Sequence, residues 1–280
     1  MKQYLALLND ILENGTRQAN RTGIDAISLS GAMLKFNLKD GFPVVTTKKL
    51  AFKACKAELI AFLRGYDNAA QFRELGCNFW DQNANENKAW LANPNRKGVD
   101  DLGRVYGVQW RNWKTKIGRI DQVQNAIDEI IHNPTNRRII VNGWRPDEFD
   151  QMALPPCHVL YQFIVTVEKR ELNLCMYQRS SDLFLGVPFN IASASLFLNI
   201  IAKLTRYTPG TFTHFLADAH IYVNHIDQVK EQLSREPLPL PTLNITGTPW
   251  TDWNINTIHP DQISLISYQS HPAIKAEMAV

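Results

Sequence analysis

Residues 191–204 read Ile-Ala-Ser-Ala-Ser-Leu-Phe-Leu-Asn-Ile-Ile-Ala-Lys-Leu, an almost unbroken apolar run at helical length. A helix that is apolar on nearly every side has no face to offer to water, so it must sit at the centre of the fold with other elements around it. Those elements have the character of strands. Val159 to Val167 and Leu172 to Tyr177 are rich in β-branched and aromatic residues and are joined through Glu168-Lys-Arg170, which predicts a hairpin. Ile27 to Phe36, ending at an Asp40-Gly41 turn, and Phe212 to Tyr222 predict two further strands. A central apolar helix against several strands predicts an α/β (α+β) domain on a large mixed β-sheet flanked by helices.

The remaining segments fit that frame. Tyr4 to Leu12 carries apolar residues at helical spacing and stops at Asn14-Gly15. Lys56 to Leu63 predicts a second helix closed by Gly65, with Glu58 among its apolar positions, where a carboxylate needs a reason. Val123 to Ile131 is a helix stopped by Asn133-Pro134, and Arg137 to Val141 predicts a strand opened by paired arginines. Asn224 to Leu233 predicts the last helix before the break at Leu238-Pro-Leu-Pro241. The asparagine-rich stretch Asp81 to Asp101 predicts an irregular surface insertion. Neither a repeat nor a linker divides the chain, so one domain is expected over residues 1–280.

Composition narrows the function classes. Thirty basic against twenty-seven acidic residues give a formal charge of only +3, so no overall field favours a nucleic acid or a membrane surface, and any anion site must be local. Cys55, Cys77, Cys157 and Cys175 lie far apart without a Cys-x-x-Cys pair, which predicts neither a metal site nor a disulfide framework and suits a reducing compartment. The N-terminus enters an amphipathic helix directly and no apolar run is expected to reach the length of a membrane span, so a cytoplasmic protein is expected.

The chemistry concentrates in a few short segments. Cys157 follows two prolines in Met152-Ala-Leu-Pro-Pro-Cys-His158, and a proline pair fixes two φ angles, holding the thiol on a stiff turn ahead of a strand. Gln178, Arg179, Ser180, Asp182 and Asn190 crowd one stretch between a strand and a helix, a composition suited to an anion and a heterocycle. Arg21, Arg137, Arg138 and Arg179 carry planar guanidinium forks that match a phosphate. Adjacent strand residues face opposite ways, so Arg137 and Arg138 could serve one site only through a bend or a second subunit. Asp218, His220 and Tyr222 alternate and therefore share a face.

Taken in order, Asn20-Arg-Thr-Gly23, Phe42-Pro-Val-Val-Thr-Thr-Lys48, Val105-Tyr-Gly-Val-Gln-Trp-Arg111, the Cys157 segment, Arg179 to Asn190, Asp218-Ala-His-Ile-Tyr222 and Pro272 to Val280 resemble the folate-dependent thymidylate synthases along nearly the whole chain. The resemblance implies the fold of that family, a homodimer with shared active sites, and methyl transfer from 5,10-methylenetetrahydrofolate to dUMP without a metal. It implies Cys157 as the nucleophile, with Glu58, Tyr106, His158, Arg179 and Asn190 in the catalytic machinery. Arg21, Arg179, Ser180 and the second subunit's Arg137 and Arg138 would clamp the phosphate, and His220 and Tyr222 would meet the ribose. Gln178, Ser181, Asp182 and Ile221 complete the implied dUMP set, and Trp80, Asp182, Gly186 and Ala279 the folate set, with Val280 closing the site. An amide such as Asn190 can offer uracil one acceptor and one donor, the reverse of what cytosine needs.

Three departures from the family pattern bear on cofactor contacts: Ala51, Asn83 and the segment Val141-Asn-Gly-Trp-Arg145, whose Arg145 is expected to add charge near the cysteine loop. Two rival readings remain at this point. A pyrimidine-nucleotide hydroxymethylase of the same fold would let water capture the exocyclic carbon, and a non-catalytic nucleotide- or RNA-binding protein would keep the site without turnover. Trp80 and the Met278-Ala-Val280 tail favour the synthase because both exclude water.

Overall fold

The computed structural model describes residues 1–277. Helix α1 (Lys2–Asn14) leads to strands β1 (Thr16–Gln18) and β2 (Ala26–Asn37), followed by helices α2 (Phe52–Leu63), α3 (Ala69–Leu75), α4 (Asp81–Asn85), α5 (Lys88–Leu91) and α6 (Tyr106–Arg111). A small hairpin, β3 (Trp113–Thr115) and β4 (Gly118–Ile120), precedes α7 (Gln122–His132) and β5 (Ile140–Asn142). The centre of the molecule is β6 (His158–Thr166), β7 (Glu171–Asp182), α8 (Gly186–Thr205) and β8 (Thr208–Tyr222); α9 (Ile226–Leu233) and the pair β9 (Thr242–Ile245) and β10 (Ile263–Ile266) complete it.

Six strands form one mixed sheet in the order β1-β2-β8-β7-β6-β5. The pair β7 and β8 is parallel and every other neighbouring pair is antiparallel. Parallel strands need a crossover, and the apolar helix α8 supplies it. Ile191, Leu196, Phe197, Leu198, Ile200 and Ile201 of α8 are fully buried. Phe197 stacks on Trp110 at 5.7 Å between ring centroids and meets Tyr161 and Phe163 edge-on, which ties α6, α8 and β6 into one core.

Several expectations change. By length and composition α8 could cross a bilayer, contrary to the expectation that no run reaches that length, but 78% of its apolar stretch is buried in the protein, as befits a core helix. The stretch Asp81 to Asp101 is not irregular throughout: it carries α4 and α5, and Ala84 and Trp90 enter the core. The indole N–H of Trp90 donates to the Asp101 carbonyl at 2.6 Å, so one buried aromatic anchors an otherwise polar surface segment. The strand expected from Arg137 begins only at Ile140. Asn136 accepts the Arg138 N–H at 2.9 Å and turns the chain there, so strand alternation does not constrain the two arginines. Gly15 ends α1 in an extended conformation, with φ −71°, rather than a left-handed one. What requires glycine there is close approach: a Cβ would lie 2.5 Å from the Ile11 carbonyl oxygen and 2.6 Å from Ile27.

Candidate active site

The loop carrying Cys157 is held from two sides. The Cys157 N–H donates to the Tyr106 hydroxyl at 2.7 Å, and the Cys157 carbonyl accepts the Arg179 N–H at 2.9 Å. Arg179 then turns its guanidinium back on the same loop, donating from Nε to the Pro156 carbonyl at 2.9 Å and from a terminal nitrogen to the Pro155 carbonyl at 3.0 Å. Trp144 stands 5.3 Å from that guanidinium and limits its swing. The prolines lack N–H groups but keep their carbonyls, and it is these that the arginine reads. Cys157 stays partly accessible on this pinned turn.

Behind the cysteine lies a buried polar chain. Gln178 donates from Nε2 to the Ser180 carbonyl at 2.9 Å and to Asn190 Oδ1 at 3.0 Å. Asn190, in the second turn of α8, therefore has its carbonyl oxygen directed by Gln178 and its amide nitrogen left for another partner. His158 is buried, and its Nδ1 lies 3.1 Å from the Tyr161 hydroxyl. Burial pushes the His158 pKa down to about 4, with the nearby Asn190 amide opposing, so the ring is neutral at pH 7.

Glu58 projects from α2 and accepts the Trp80 indole N–H at 2.8 Å. It keeps partial access to solvent, yet apolar surroundings raise its pKa to about 7, with the Trp80 hydrogen bond opposing. A carboxyl poised there can give or take a proton at neutral pH. Tyr106, raised well above the usual phenol value by burial, stacks on Phe62 at 5.0 Å and faces His158 at 5.4 Å. Trp80 is only 5% exposed, wedged among Phe62, Phe72 and Tyr106, so its indole serves Glu58 as well as any wall it forms.

Parallel pairing of β7 and β8 sets Ser180 beside Asp218 and Asp182 beside His220. Asp182 Oδ1 accepts the N–H groups of Phe184 and Leu185 at 3.0 and 3.2 Å, just before α8 begins at Gly186. Burial acts to lower the His220 pKa, but Asp218, 3.5 Å away, outweighs it and raises it. Burial and then Asp182 raise the Tyr222 pKa, while Arg21 opposes. Ser181 and Ile221 are fully buried and expose no side-chain surface to this region.

Arg137 and Arg138 stand apart. Both are exposed, and Arg138 lines a different cavity with Gln122, Glu129 and Asn136. Neither makes a hydrogen bond or ion pair with the Cys157 group among the described residues. Ala279 and Val280 lie outside the described residues, but the segment before them runs toward the site. His271 N–H donates to the Thr46 carbonyl, Arg235 to the Pro272 carbonyl, and His225 Nε2 meets the Glu277 carbonyl at 2.7 Å beside Phe184 and Tyr222.

The expectation for Arg145 is corrected in one respect. Its guanidinium donates to the Lys114 carbonyl at 2.7 Å, pairs with Asp147 and Glu148, and lies over Trp113 at 4.8 Å. Its charge is thus spent on the β3–β4 hairpin and on buried Glu148, which also holds Arg104. The sequence reading missed Lys48 and His214. Lys48 is 6% exposed, donates to the Phe184 carbonyl and sits 3.5 Å over the Phe184 ring; burial lowers its pKa to about 7, with Asp182 opposing. The signal was a lysine directly after the uncharged run Gly41 to Thr47. Among the described residues no group of three or more His, Cys, Asp or Glu could hold a metal ion.

Comparison with known proteins identifies the family. A family model described as thymidylate synthase matches residues 2–280. Curated relatives named thymidylate synthase are 46% identical in Pseudomonas syringae pv. tomato, 47% in Pseudomonas putida and 44% in Bordetella parapertussis. Each alignment covers 100% of this chain and 100% of the relative. A family model over residues 2–280 and full-length relatives at 44–47% identity lead to one assignment: the chain belongs to the thymidylate synthase family.

Proposed function

We propose that this protein is a methyltransferase that converts dUMP to dTMP, taking a one-carbon unit and then a hydride from 5,10-methylenetetrahydrofolate and releasing dihydrofolate. The observation that carries the reading is the pinned, partly accessible Cys157 beside Arg179, set in a chain whose full-length relatives are named thymidylate synthase. Carbon 5 of uracil is too weak a nucleophile to attack the folate's methylene carbon unaided. Addition of the Cys157 thiolate at carbon 6 makes an enolate whose carbon 5 can attack. Carbon 5 then loses its proton, the folate departs, its hydride reduces the exocyclic methylene, and the thiolate leaves carbon 6. Glu58, with its pKa near 7, suits the relay of protons around the ring.

Asn190 pairs with the uracil edge, Arg21, Arg179 and Ser180 hold the phosphate, and His220 and Tyr222 meet the ribose. Gln178 and Ser181 support the nucleotide site from behind. Asp182, Gly186 and Trp80 face the folate, and the C-terminal tail, whose Ala279 lies outside the described residues, is the element proposed to exclude water. Arg137 and Arg138 complete the phosphate clamp of a second subunit. An apolar rank on the outer face of the sheet supports such a homodimer: Met33, Phe215 and Tyr177 are in register across β2, β8 and β7, and all are about half exposed. A cytoplasmic setting fits four free cysteines.

The test is incubation with dUMP and methylenetetrahydrofolate while dihydrofolate is followed and the nucleotide is weighed by mass spectrometry. Formation of dTMP and dihydrofolate together is expected. A 5-hydroxymethyl product without dihydrofolate would move the protein to the hydroxymethylases. Cys157→Ser should lose turnover while still binding dUMP; near-normal turnover in that variant would remove Cys157 from the nucleophile's role.

A further inference from the structure

The buried chain behind Asn190 does not end at Gln178. Gln178 Oε1 lies 2.8 Å from Nε2 of His214, a residue of β8 that is fully buried and that no part of the reaction above uses. The Gln178 amide cannot be turned over in place, because its carbonyl would then face the Ser180 carbonyl that now accepts its N–H. Its oxygen is therefore the atom that meets His214, and an oxygen facing a ring nitrogen at that distance needs a proton on that nitrogen. His214 Nδ1 is buried without a hydrogen-bond partner among the described residues, so a second proton there would be stranded. Burial, with His158 adding to it, holds the His214 pKa well below the ordinary value.

We propose that His214 is a positioning residue for base selection: as the neutral Nε2–H tautomer it fixes the Gln178 amide, which fixes the Asn190 carbonyl oxygen in the orientation that reads uracil and rejects cytosine. This inference rests on the proposed reading of Asn190 as the base partner. Without the lock, the Asn190 amide could rotate by half a turn, exchange acceptor for donor and meet the reversed pattern of cytosine. With it, that rotation brings the Asn190 amide nitrogen against the Gln178 N–H, two donors with nothing to accept them. Discrimination between the two bases then depends on a proton two side chains away from the nucleotide.

The test compares dUMP and dCMP binding by calorimetry, and dUMP turnover, in the wild type, His214→Phe and His214→Gln. Phenylalanine keeps a flat ring but offers no donor, whereas the glutamine amide nitrogen can occupy the place of Nε2. His214→Phe should narrow the dUMP-to-dCMP affinity ratio by about tenfold, the scale of a buried polar group losing its partner, and His214→Gln should restore it. A residue that merely fills space would lower stability and affinity for both nucleotides together and leave the ratio unchanged. An unchanged ratio in folded His214→Phe, or no restoration by glutamine, overturns the inference alone. Nitrogen-15 shifts of the wild-type imidazole check it independently of variant folding: a protonated Nε2 and bare Nδ1 are expected at pH 7, and the opposite tautomer overturns it. A wild type that binds dUMP no better than dCMP and does not convert it overturns the proposed function and this inference together.

Discussion

Glu58 shows how one side chain is set by its surroundings. A carboxyl on the inward side of α2 loses hydration, and the single Trp80 N–H at 2.8 Å returns only part of it, so its pKa rises from 4.5 to about 7. A raised folded pKa means that the unfolded chain ionises first. The stability this group contributes is fully present below pH 4.5, falls between pH 4.5 and 7, and is flat above. Glu58→Gln keeps an acceptor for Trp80 and cannot ionise. It should match the wild type below pH 4.5 and exceed it by on the order of 2–3 kcal/mol above pH 7 in denaturant unfolding. Turnover in the same variant should fall by roughly 100-fold or more, the range expected when a proton relay is lost. A stability difference that does not change with pH would show that Glu58 is not held protonated. Residues such as Glu58 and Cys157 are legible in sequence because each breaks its local pattern, a charge among apolar positions and a thiol behind two prolines. His214 does not stand out, since a lone histidine on an inward strand face resembles any satisfied core residue until its partner Gln178 is seen.

At the scale of elements, the site depends on how closely α6 lies on α2. A Cβ on Gly107 would fall 2.3 Å from the Phe62 carbonyl oxygen and 2.6 Å from its Cα, so the two backbones touch where any other residue would hold them apart. That contact places Tyr106 where its hydroxyl meets the Cys157 N–H. Gly107→Ala should cost about 1–3 kcal/mol in unfolding experiments through overpacking. It should also reduce turnover more than dUMP binding, because the Cys157 loop shifts while the proposed phosphate ligands remain. Full activity with lowered stability would separate helix packing from the cysteine loop. The sheet, the hairpin of β6 and β7 and the apolar helix α8 were legible because their apolar runs are long enough to choose their own structure. The short elements were not. Strand β1, the β3–β4 hairpin and helices α4 and α5 have three to five residues each, and tertiary contacts such as the Trp90 N–H to the Asp101 carbonyl decide them.

For the whole molecule, the sheet is covered by α8 on one face while the other leaves Met33 58% and Tyr177 41% exposed. Large apolar side chains set in register across three strands suit a second sheet. The edge strand β5 follows directly from Arg137 and Arg138, so in the proposed dimer, joined through that face, each pair of arginines would be carried toward the other subunit's proposed phosphate site. The paired arginines were visible in the sequence, but their separation from Cys157 in one chain was not, because it follows from the turn at Asn136 and the place of β5 at the sheet edge. A mixing experiment tests the arrangement. Cys157→Ser subunits would lack the proposed nucleophile and Arg138→Ala subunits one proposed phosphate ligand, so each homodimer should be inactive or strongly impaired. In a heterodimer with crossed arginines, one site has lost both groups and the other has lost neither. Random reassembly in equal amounts makes half the dimers mixed, and activity should return to about a quarter of the wild-type value. A verified heterodimer without recovered activity would return Arg138 to its own subunit or remove it from the site.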